Sequence, residues 1–435
     1  MLWWRHVDKR LYPQVLRFSS QWRRKAGTHV QLVEQRRIDR HDPRWKAIDS
    51  VAFASKNLYS AALYLTRQNY IKDQTVIGYA ELDQLMQTTE LYRALPAKVA
   101  QWVLKQVCLA WKSYLEACQE WGVNPKKFLG HPKLLKYLAK QGRNLLTYTA
   151  PAISQHPKNA AWIVPSRLPI RVATQHTFAA IAQVRIDPHA THYTVEVVYE
   201  QEIIPADIDP QWAAGMDLGV NNSATLTSNQ PGLTPLLVSE RPLKALNQLY
   251  NKRRAHYQSL LPEGQHTSRR LDILTDKRKR QVDSYLHGAS RRIIDQLIQQ
   301  HVGTLIIGKN DGWKQEVNLG KRTNQNFDFL PHARFIEMLV YKARLVGIRV
   351  ILTEESYTSK CGFLDSEPPT HQVEYVGKRM KRGVFMTATG QRLNANVNGS
   401  YNMIVRVVPN AFGNGSVGVV VHPVRLHLAN RRLAS

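Results

Sequence analysis

The chain has 435 residues, of which 60 are Lys or Arg and 33 are Asp or Glu, and its formal net charge is +27. A chain of this length holds about three domains, and its 43% apolar content supplies enough material for a buried core. The excess of positive charge argues against an ordinary small-molecule enzyme. It predicts a polyanionic partner, either a nucleic acid or an anionic membrane surface.

Hydropathy and cysteine usage indicate the compartment. The sequence contains no run of about 18 apolar residues, so we expect no membrane span and no membrane partner. The first ten residues lack the apolar core of a signal peptide. Cys108, Cys118 and Cys361 form no CxxC pair, which excludes a disulfide framework and a four-cysteine zinc site. We therefore expect a cytoplasmic, nucleoid-associated prokaryotic protein without zinc.

The first half of the chain combines a basic arm, a helical segment and short strands. Residues 1–27 are basic and aromatic, which fits either a nucleic-acid-binding arm or a frayed terminus. Residues 28–38 alternate apolar and polar side chains and predict a strand, whereas residues 42–120 have the spacing of a helical bundle. Residues 121–210 predict short strands, including one at 168–172. We expect 28–41 and 121–210 to share one sheet, with the bundle inserted.

From residue 211 onward, predicted strands alternate with helices. Residues 214–220 predict a strand that contains Asp217, and 223–227 and 233–238 continue it as a hairpin ribbon. Residues 304–307 and 348–353 are short buried strands, and helical periodicity covers 241–261, 268–301, 331–346 and 396–407. This order predicts a mixed α/β sheet within residues 211–410, followed by a tail at 411–435.

Asp217 is the first candidate for metal chemistry. It stands in Gly-Met-Asp-Leu-Gly-Val, and a carboxylate among apolar neighbours is costly to bury unless a cation or hydrogen-bond donors compensate it. Two-metal phosphodiester hydrolysis requires carboxylates on neighbouring elements, and Mg²⁺ is the usual ion. The sequence therefore predicts that Asp217 binds Mg²⁺. The alternative is an aspartate that caps a turn at Gly219.

Six segments occur in the order of a known family. The first is Gly-Met-Asp-Leu-Gly-Val-Asn-Asn at 215–222, and the others lie at 54–62, 95–100, 244–254, 356–360 and 396–402. Together the segments resemble TnpB, the transposon-encoded protein ancestral to type V CRISPR effectors, and the resemblance covers nearly the whole chain. It implies an RNA-guided protein in which a guide RNA pairs with double-stranded DNA beside a short motif that the protein reads.

The resemblance also implies the fold, a multidomain α+β architecture. A helical recognition domain (42–120) is inserted in a β-rich wedge domain (28–41 and 121–210). An RNase H-like RuvC nuclease domain follows at 211–410, with a degenerate zinc-ribbon-like insertion at 361–395. Cys361 is the only cysteine in the sequence of this insertion, so we expect the ribbon to be absent or free of zinc.

The candidate nuclease site departs from the family pattern. The strand at 304–307 leads to Gly308 where the family has a catalytic Glu, and Asp311 comes three residues late. Glu354 and Glu355 follow the neighbouring strand and could reach the same ions, although at most one should do so because they point to opposite faces. The alternative is an exposed acid pair at a strand end. Asn396 occupies the position of the family's last Asp.

The amide at Asn396 carries no charge, so it cannot neutralise a divalent ion. We therefore expect Mg²⁺ binding to be weak or absent and cleavage to be largely lost. The predicted site comprises Asp217, Glu354 and Glu355 as metal ligands, with Asn396 at the remaining catalytic position.

Basic residues cluster on two predicted helices and in the insertion. We expect them to contact phosphates, and the alternative is a solvated basic face. They are Lys252, Arg253, Arg254, Arg269, Arg270, Lys277, Arg278, Lys279, Arg280, Lys378 and Arg379.

The sequence thus predicts an RNA-guided double-stranded-DNA-binding protein with an impaired RuvC site. Such a protein would act by binding, and would block transcription, mark a target or recruit a protein partner. Two alternatives stay open. One is an active RNA-guided endonuclease that uses Asp217 with Glu354 or Glu355, and the other is a non-guided nucleic-acid-binding accessory protein of a transposon.

Overall fold

The computed structural model describes residues 28–219, 222–309, 331–381, 383–413 and 418–426. The predicted basic arm at 1–27 and Asp311 lie outside the described residues. The chain divides into two compact units, Met1–Gln201 and Glu202–Ser435.

The first unit contains two antiparallel sheets. Its strands are β1 (His29–Asp39), β2 (Leu146–Thr149), β3 (Ile153–His156), β4 (Asn159–Pro165), β5 (Val172–Ala173), β6 (Ile181–Pro188) and β7 (His192–Glu202). One sheet has the order β1-β7-β6-β2 and the other β3-β4-β5. The predicted strand at 168–172 is wrong except at Val172, which begins β5. Pro169 has no N–H to offer a sheet, and Leu168 and Ile170 instead bury their side chains in the core.

Four helices lie between β1 and β2 in the chain. They are α1 (Trp45–Asp73), α2 (Tyr79–Met86), α3 (Glu90–Arg93) and α4 (Ala97–Val123). Leu63, Leu104 and Trp111 belong to their common core, where the Trp111 indole N–H donates to Thr66 Oγ1 at 2.8 Å. Because β1 and β2 belong to one sheet, the helical bundle is an insertion between two strands of that sheet, as the sequence predicts.

The second unit is built on a six-stranded mixed sheet. The strands of this unit, which form the large sheet and a smaller one, are β8 (Asp209–Asp217), β9 (Asn222–Ser228), β10 (Leu236–Ser239), β11 (Val302–Gly308), β12 (Arg349–Thr353), β13 (Lys378–Lys381), β14 (Val384–Met386), β15 (Arg392–Asn394) and β16 (Val424–Leu426). The large sheet has the order β12-β11-β8-β9-β10-β16, and β13-β14-β15 form a small one.

The large sheet combines an antiparallel ribbon with parallel strands. β8, β9 and β10 are antiparallel, whereas β11 pairs in parallel with both β8 and β12, and β16 pairs in parallel with β10. The predicted domain boundary at 210–211 falls inside β8, so the sheet begins two residues earlier. Asp217 is the last residue of its strand rather than an internal one, and β16 comes from the predicted tail.

Helices cover both faces of this sheet. They are α5 (Arg241–Ser259), α6 (Arg269–Gln299), α7 (His332–Leu345) and α8 (Ala395–Val407). Helices α6 and α7 share a core with Met216 and Ile307, whereas α8 packs with Ala213 and Ile306 on the other face. Because strand side chains alternate, Gly215 and Asp217 face α8 together with Ala213.

The predicted multidomain α+β class is therefore confirmed. Among the described residues, no helix is both long enough and apolar enough to cross a membrane.

Candidate functional site

The candidate site lies where four neighbouring strands reach one edge of the large sheet. Asp217 pairs across the antiparallel ladder with Thr225. On the other side Met216 pairs with Ile307, so the next residue, Gly308, lies level with Asp217. Gly308 in turn pairs with Thr353, the last residue of β12.

Helix α8 packs directly on this edge. A Cβ at Gly215 would lie 2.2 Å from the backbone oxygen of Ser400, so only glycine allows the helix to approach so closely. The Ser400 hydroxyl donates to the carbonyl of Gly215 at 2.8 Å. This close contact brings the first turns of α8 against the end of β8.

Asp217 lies against these first turns, and Asn396 belongs to them. Gly399 is next to the Asp217 carboxylate, because a Cβ there would be 3.6 Å from Oδ2. The Asn396 amide nitrogen would be 3.4 Å from a Cβ at Gly219, two residues beyond Asp217. Asn396 and Gly399 are three residues apart on one helix and thus share a face. The structure therefore brings together the predicted acid and the predicted amide.

Glu355 fills the space that Gly308 leaves open. A Cβ at Gly308 would lie 2.5 Å from both Cγ and Oε1 of Glu355 and 2.6 Å from Cε of Met403. The carboxylate of Glu355 thus occupies the place of a side chain at position 308, beside Asp217. Glu355, from the turn after β12, thus places a carboxylate at the end of β11, where Gly308 itself has no side chain.

Glu354 points elsewhere. Its side chain is 64% exposed, lies 3.7 Å from the guanidinium of Arg406, and accepts a hydrogen bond from the Ser356 hydroxyl. Both glutamates follow the last residue of β12, so the turn rather than strand alternation separates them.

Two buried asparagines fasten that turn to α8. Asn402 donates through Nδ2 to the carbonyls of Thr358 and Cys361, each at 2.8 Å. Asn398 donates to the carbonyl of Cys361 at 2.8 Å and accepts from the backbone N–H of Phe363 at 3.0 Å. The side chains of α8 therefore hold the segment that carries Glu355.

The two carboxylates share an unusual electrostatic environment. Burial raises the pKa of Asp217 to about 7, although the positive charge of Arg379 opposes the shift. Burial and then the nearby Asp217 raise the pKa of Glu355 to about 8. Desolvation and mutual repulsion therefore disfavour the doubly ionised pair. A cation at this position would relieve both effects.

The donors at this edge suit a hard divalent ion. Asp217 and Glu355 offer carboxylate oxygens and Asn396 an amide, which are ligands that Mg²⁺ accepts. The hydroxyl of Thr225, opposite Asp217, is fully buried and has no hydrogen-bond partner. Within the described ranges, no group of three or more His, Cys, Asp or Glu residues could hold a metal ion. The set thus fits Mg²⁺ chemically but supplies only two charges.

The insertion between β12 and α8 carries Arg379 on β13. Cys361 is buried, and its thiol is 3.5 Å from the carbonyl of Thr370. The carboxylate of Glu367 accepts from the backbone N–H groups of Gly362 at 2.7 Å and Val376 at 3.0 Å. A buried carboxylate thus joins two loops of the insertion.

The predicted basic residues on α5 and α6 differ in how they are held. Arg278 is tied between the helices, with Nε donating to Asn247 Oδ1 at 2.7 Å and the guanidinium 5.1 Å from the Tyr250 ring centre. Arg280 lies 3.8 Å from Asp276. The other members are exposed, namely Lys252, Arg253, Arg254, Arg269, Arg270, Lys277 and Lys279, as are Lys378 and Arg379 on β13.

Known proteins resemble the chain over these same regions. The family OrfB_IS605, described as a probable transposase, matches residues 195–314, and the Cas12f1-like TNB domain matches residues 332–403. The "TnpB-like protein ORF457" of Acidianus two-tailed virus is 26% identical over 226 residues, which are 50% of this chain and 44% of that protein. The chain is therefore similar to TnpB-like proteins over part of its length. Its match thus spans less than half the length of this relative.

The chain also resembles a solved structure of a Cas12f1-sgRNA-target DNA complex. The similarity has a TM-score of 0.53 at 13% identity and covers 83% of this chain and 82% of that one. The predicted multidomain α+β fold is thereby confirmed. The predicted domain boundaries and residue roles stay predictions.

Sequence reasoning overlooked two sets of residues at this site. Asn398 and Asn402 stand four residues apart in the motif at 396–402, a spacing that signals one helix face. Thr225 gave no signal, because only the pairing of β8 with β9 places it opposite Asp217.

Proposed function

We propose that the TnpB-like chain is an RNA-guided double-stranded-DNA-binding protein whose RuvC-type site is impaired for cleavage. The relationship to TnpB-like proteins, the RuvC-like fold and the net charge of +27 support a guided protein. One observation carries the impairment. The uncharged amide of Asn396 lies beside the end of β8, where a two-metal site needs a further carboxylate.

In this proposal Asp217 and Glu355 hold Mg²⁺, and Asn396 contributes at most an uncharged oxygen. Bound Mg²⁺ would stabilise negative charge on a phosphate. Two carboxylates neutralise one divalent ion, so a second ion at this edge would be poorly compensated. The pKa values of both groups are raised toward neutral pH by burial, which further weakens metal binding because protons must leave first.

Target binding does not require this site. Base pairing with a guide reads the DNA sequence, while the protein holds the backbone and reads a short adjacent motif. The exposed Lys and Arg residues on α5, α6 and β13 are suited to phosphate contacts. A protein with an impaired nuclease site would therefore still occupy its target.

A second candidate function is an active RNA-guided endonuclease. The fit of Glu355 into the space beside Gly308 favours it, since the site then lacks only one charged ligand rather than two. The two functions differ in whether the protein with Asn396 cleaves target DNA when Mg²⁺ is present.

Cleavage of a plasmid target by the complex with its co-purified RNA tests the proposal. We compare the protein with Asn396→Asp, with Asn396→Asp/Asp217→Ala and with Glu354→Gln, each with Mg²⁺ and with a chelator. Duplex binding is measured in parallel by mobility shift, because binding and cleavage are separate properties of guided proteins.

We expect all four proteins to bind the target and only Asn396→Asp to cleave it. Its rate should exceed that of the unmodified protein by more than about 100-fold, because even outer-shell partners of a metal change activity by about 10–100-fold. Cleavage by the unmodified protein at a rate similar to Asn396→Asp would refute the impairment and support the endonuclease. Bulk ribosomal RNA in place of a discrete co-purified RNA would refute guiding.

A further inference from the structure

The last turn of α4 and the segment that follows it form a basic and apolar surface on the first unit. We call residues 121–142 the lysine loop. It contains five lysines and no Asp or Glu. All five lysines are exposed, namely Lys126, Lys127, Lys133, Lys136 and Lys140.

Aromatic and apolar side chains stand among these lysines. The Trp121 ring lies edge to face with Phe128 at 5.9 Å and with His131 at 5.6 Å between ring centres. Leu129 is 86% exposed and Tyr137 is 44% exposed. Lys127 forms an ion pair with Glu120, which directly precedes the loop. The loop therefore presents flat and apolar side chains to solvent among lysines, one of which is paired.

The lysine loop is held in one conformation by contacts to the helices. The guanidinium of Arg67 on α1 donates to the carbonyl of Leu135 at 2.8 Å and lies 4.8 Å from the Tyr137 ring centre. The Lys56 ammonium donates to the carbonyl of Lys140 at 3.0 Å, and Leu135 packs on the helical core. A surface fixed in this way loses little conformational freedom when a ligand binds.

We propose that the lysine loop binds unpaired RNA. Phosphates would lie along the lysines, while bases stack on Tyr137 and the Trp121 cluster. Duplexes hide their bases and would leave the exposed rings and Leu129 without partners, whereas splayed single-stranded bases stack on aromatic and guanidinium planes. The choice of RNA over DNA rests on the proposed function, in which RNA is the permanently bound strand.

The test measures binding of an oligouridine of about 15 nucleotides to RNA-stripped full-length protein. The other probes are the matching deoxyribo-oligonucleotide, a double-stranded RNA and anionic phosphatidylserine vesicles. The loop variant is Lys126→Ala/Lys133→Ala/Lys136→Ala. Its matched control, Lys72→Ala/Lys98→Ala/Lys112→Ala, removes the same charge from exposed positions on α1 and α4. A separate Tyr137→Ala variant tests stacking, and circular dichroism verifies folding.

We expect the loop variant to lose at least about tenfold in oligouridine affinity, and the slope of log K against log salt to fall by about 2, or about 0.7 for each lost phosphate contact. Tyr137→Ala should lose about fivefold or more through stacking. The charge-matched control should keep its affinity.

Equal losses in the loop variant and the control would overturn the proposal, because net charge alone would then explain binding. Equal loss for the deoxyribo-oligonucleotide would overturn the choice of RNA, and lysine-dependent binding of vesicles alone would point to a membrane. The outcome is separable from that of the proposed function. If oligouridine binding depends on the loop but no discrete RNA co-purifies, guiding fails and the loop inference stands.

Discussion

Glu355→Gln in metal-free protein examines the electrostatics of the candidate site without any cleavage assay. The carboxylate lies against Gly308 and beside Asp217. Glutamine has nearly the same shape but no charge, so it keeps the packing and removes both the cost of burying a charge and the repulsion from Asp217. Glu354→Gln is the matched control, since its side chain is mostly exposed and lies next to Arg406.

The sign of the effect follows from the raised pKa. The folded protein holds the Glu355 proton more tightly than the unfolded chain does, so this stabilisation is full below the ordinary pKa near 4.5 and is lost as the pH rises through about 8. At about 1.4 kcal/mol per pKa unit the shift corresponds to at most roughly 5 kcal/mol. Part of it is repulsion shared with Asp217, so we expect about 2 kcal/mol.

Urea denaturation with a chelator present measures the free energy of unfolding at about pH 5 and about pH 9. We expect Glu355→Gln to match the unmodified protein at the lower pH and to exceed it by about 2 kcal/mol at the higher one. Glu354→Gln should differ little at either. Mg²⁺ should then stabilise the unmodified protein at the higher pH more than Glu355→Gln. If Glu355→Gln has the same stability as the unmodified protein at both pH values, Glu355 does not face Asp217 as described.

Three further substitutions test the packing. Gly308→Ala should lower the free energy of unfolding by about 1–3 kcal/mol through overpacking, and by less in the presence of Glu355→Ala; equal losses would contradict the contact. Gly215→Ala should lower the thermal midpoint more than Gly288→Ala, an open helical site; a similar midpoint would disprove the close approach of α8. Glu367→Gln should lower the free energy of unfolding by about 1–3 kcal/mol, whereas Glu374→Gln, at an exposed position, should leave it unchanged. If Glu367→Gln is as stable as the unmodified protein, Glu367 does not join the two loops.

Local patterns predicted the elements of this chain well where the periodicity was long. The helical spacing at 268–301 and 396–407 corresponds to α6 and α8, and alternation at 28–38 corresponds to β1. Prediction failed at 168–171, where Leu168 and Ile170 are buried without forming a strand. Burial and strand pairing are separate requirements, and Pro169 has no N–H for pairing.

The candidate site could be predicted only in part. Asp217 was identifiable because burying a carboxylate among apolar residues is costly without compensation. Asn396 was identifiable because the motif at 396–402 resembles one of TnpB. Which glutamate approaches Asp217 was not identifiable. That choice depends on the turn after β12 and on the space beside Gly308, and the order of β12, β11 and β8 creates this space.

Composition and periodicity therefore established a basic protein with an inserted helical bundle and a mixed sheet, because charge and amphipathic spacing act over a few neighbouring residues. Only the tertiary structure shows that Asp217, Glu355 and Asn396 lie close together. Each comes from a different element, and strand register together with the glycine contact between β8 and α8 sets their separation. Such contacts between distant segments leave no trace in local sequence spacing.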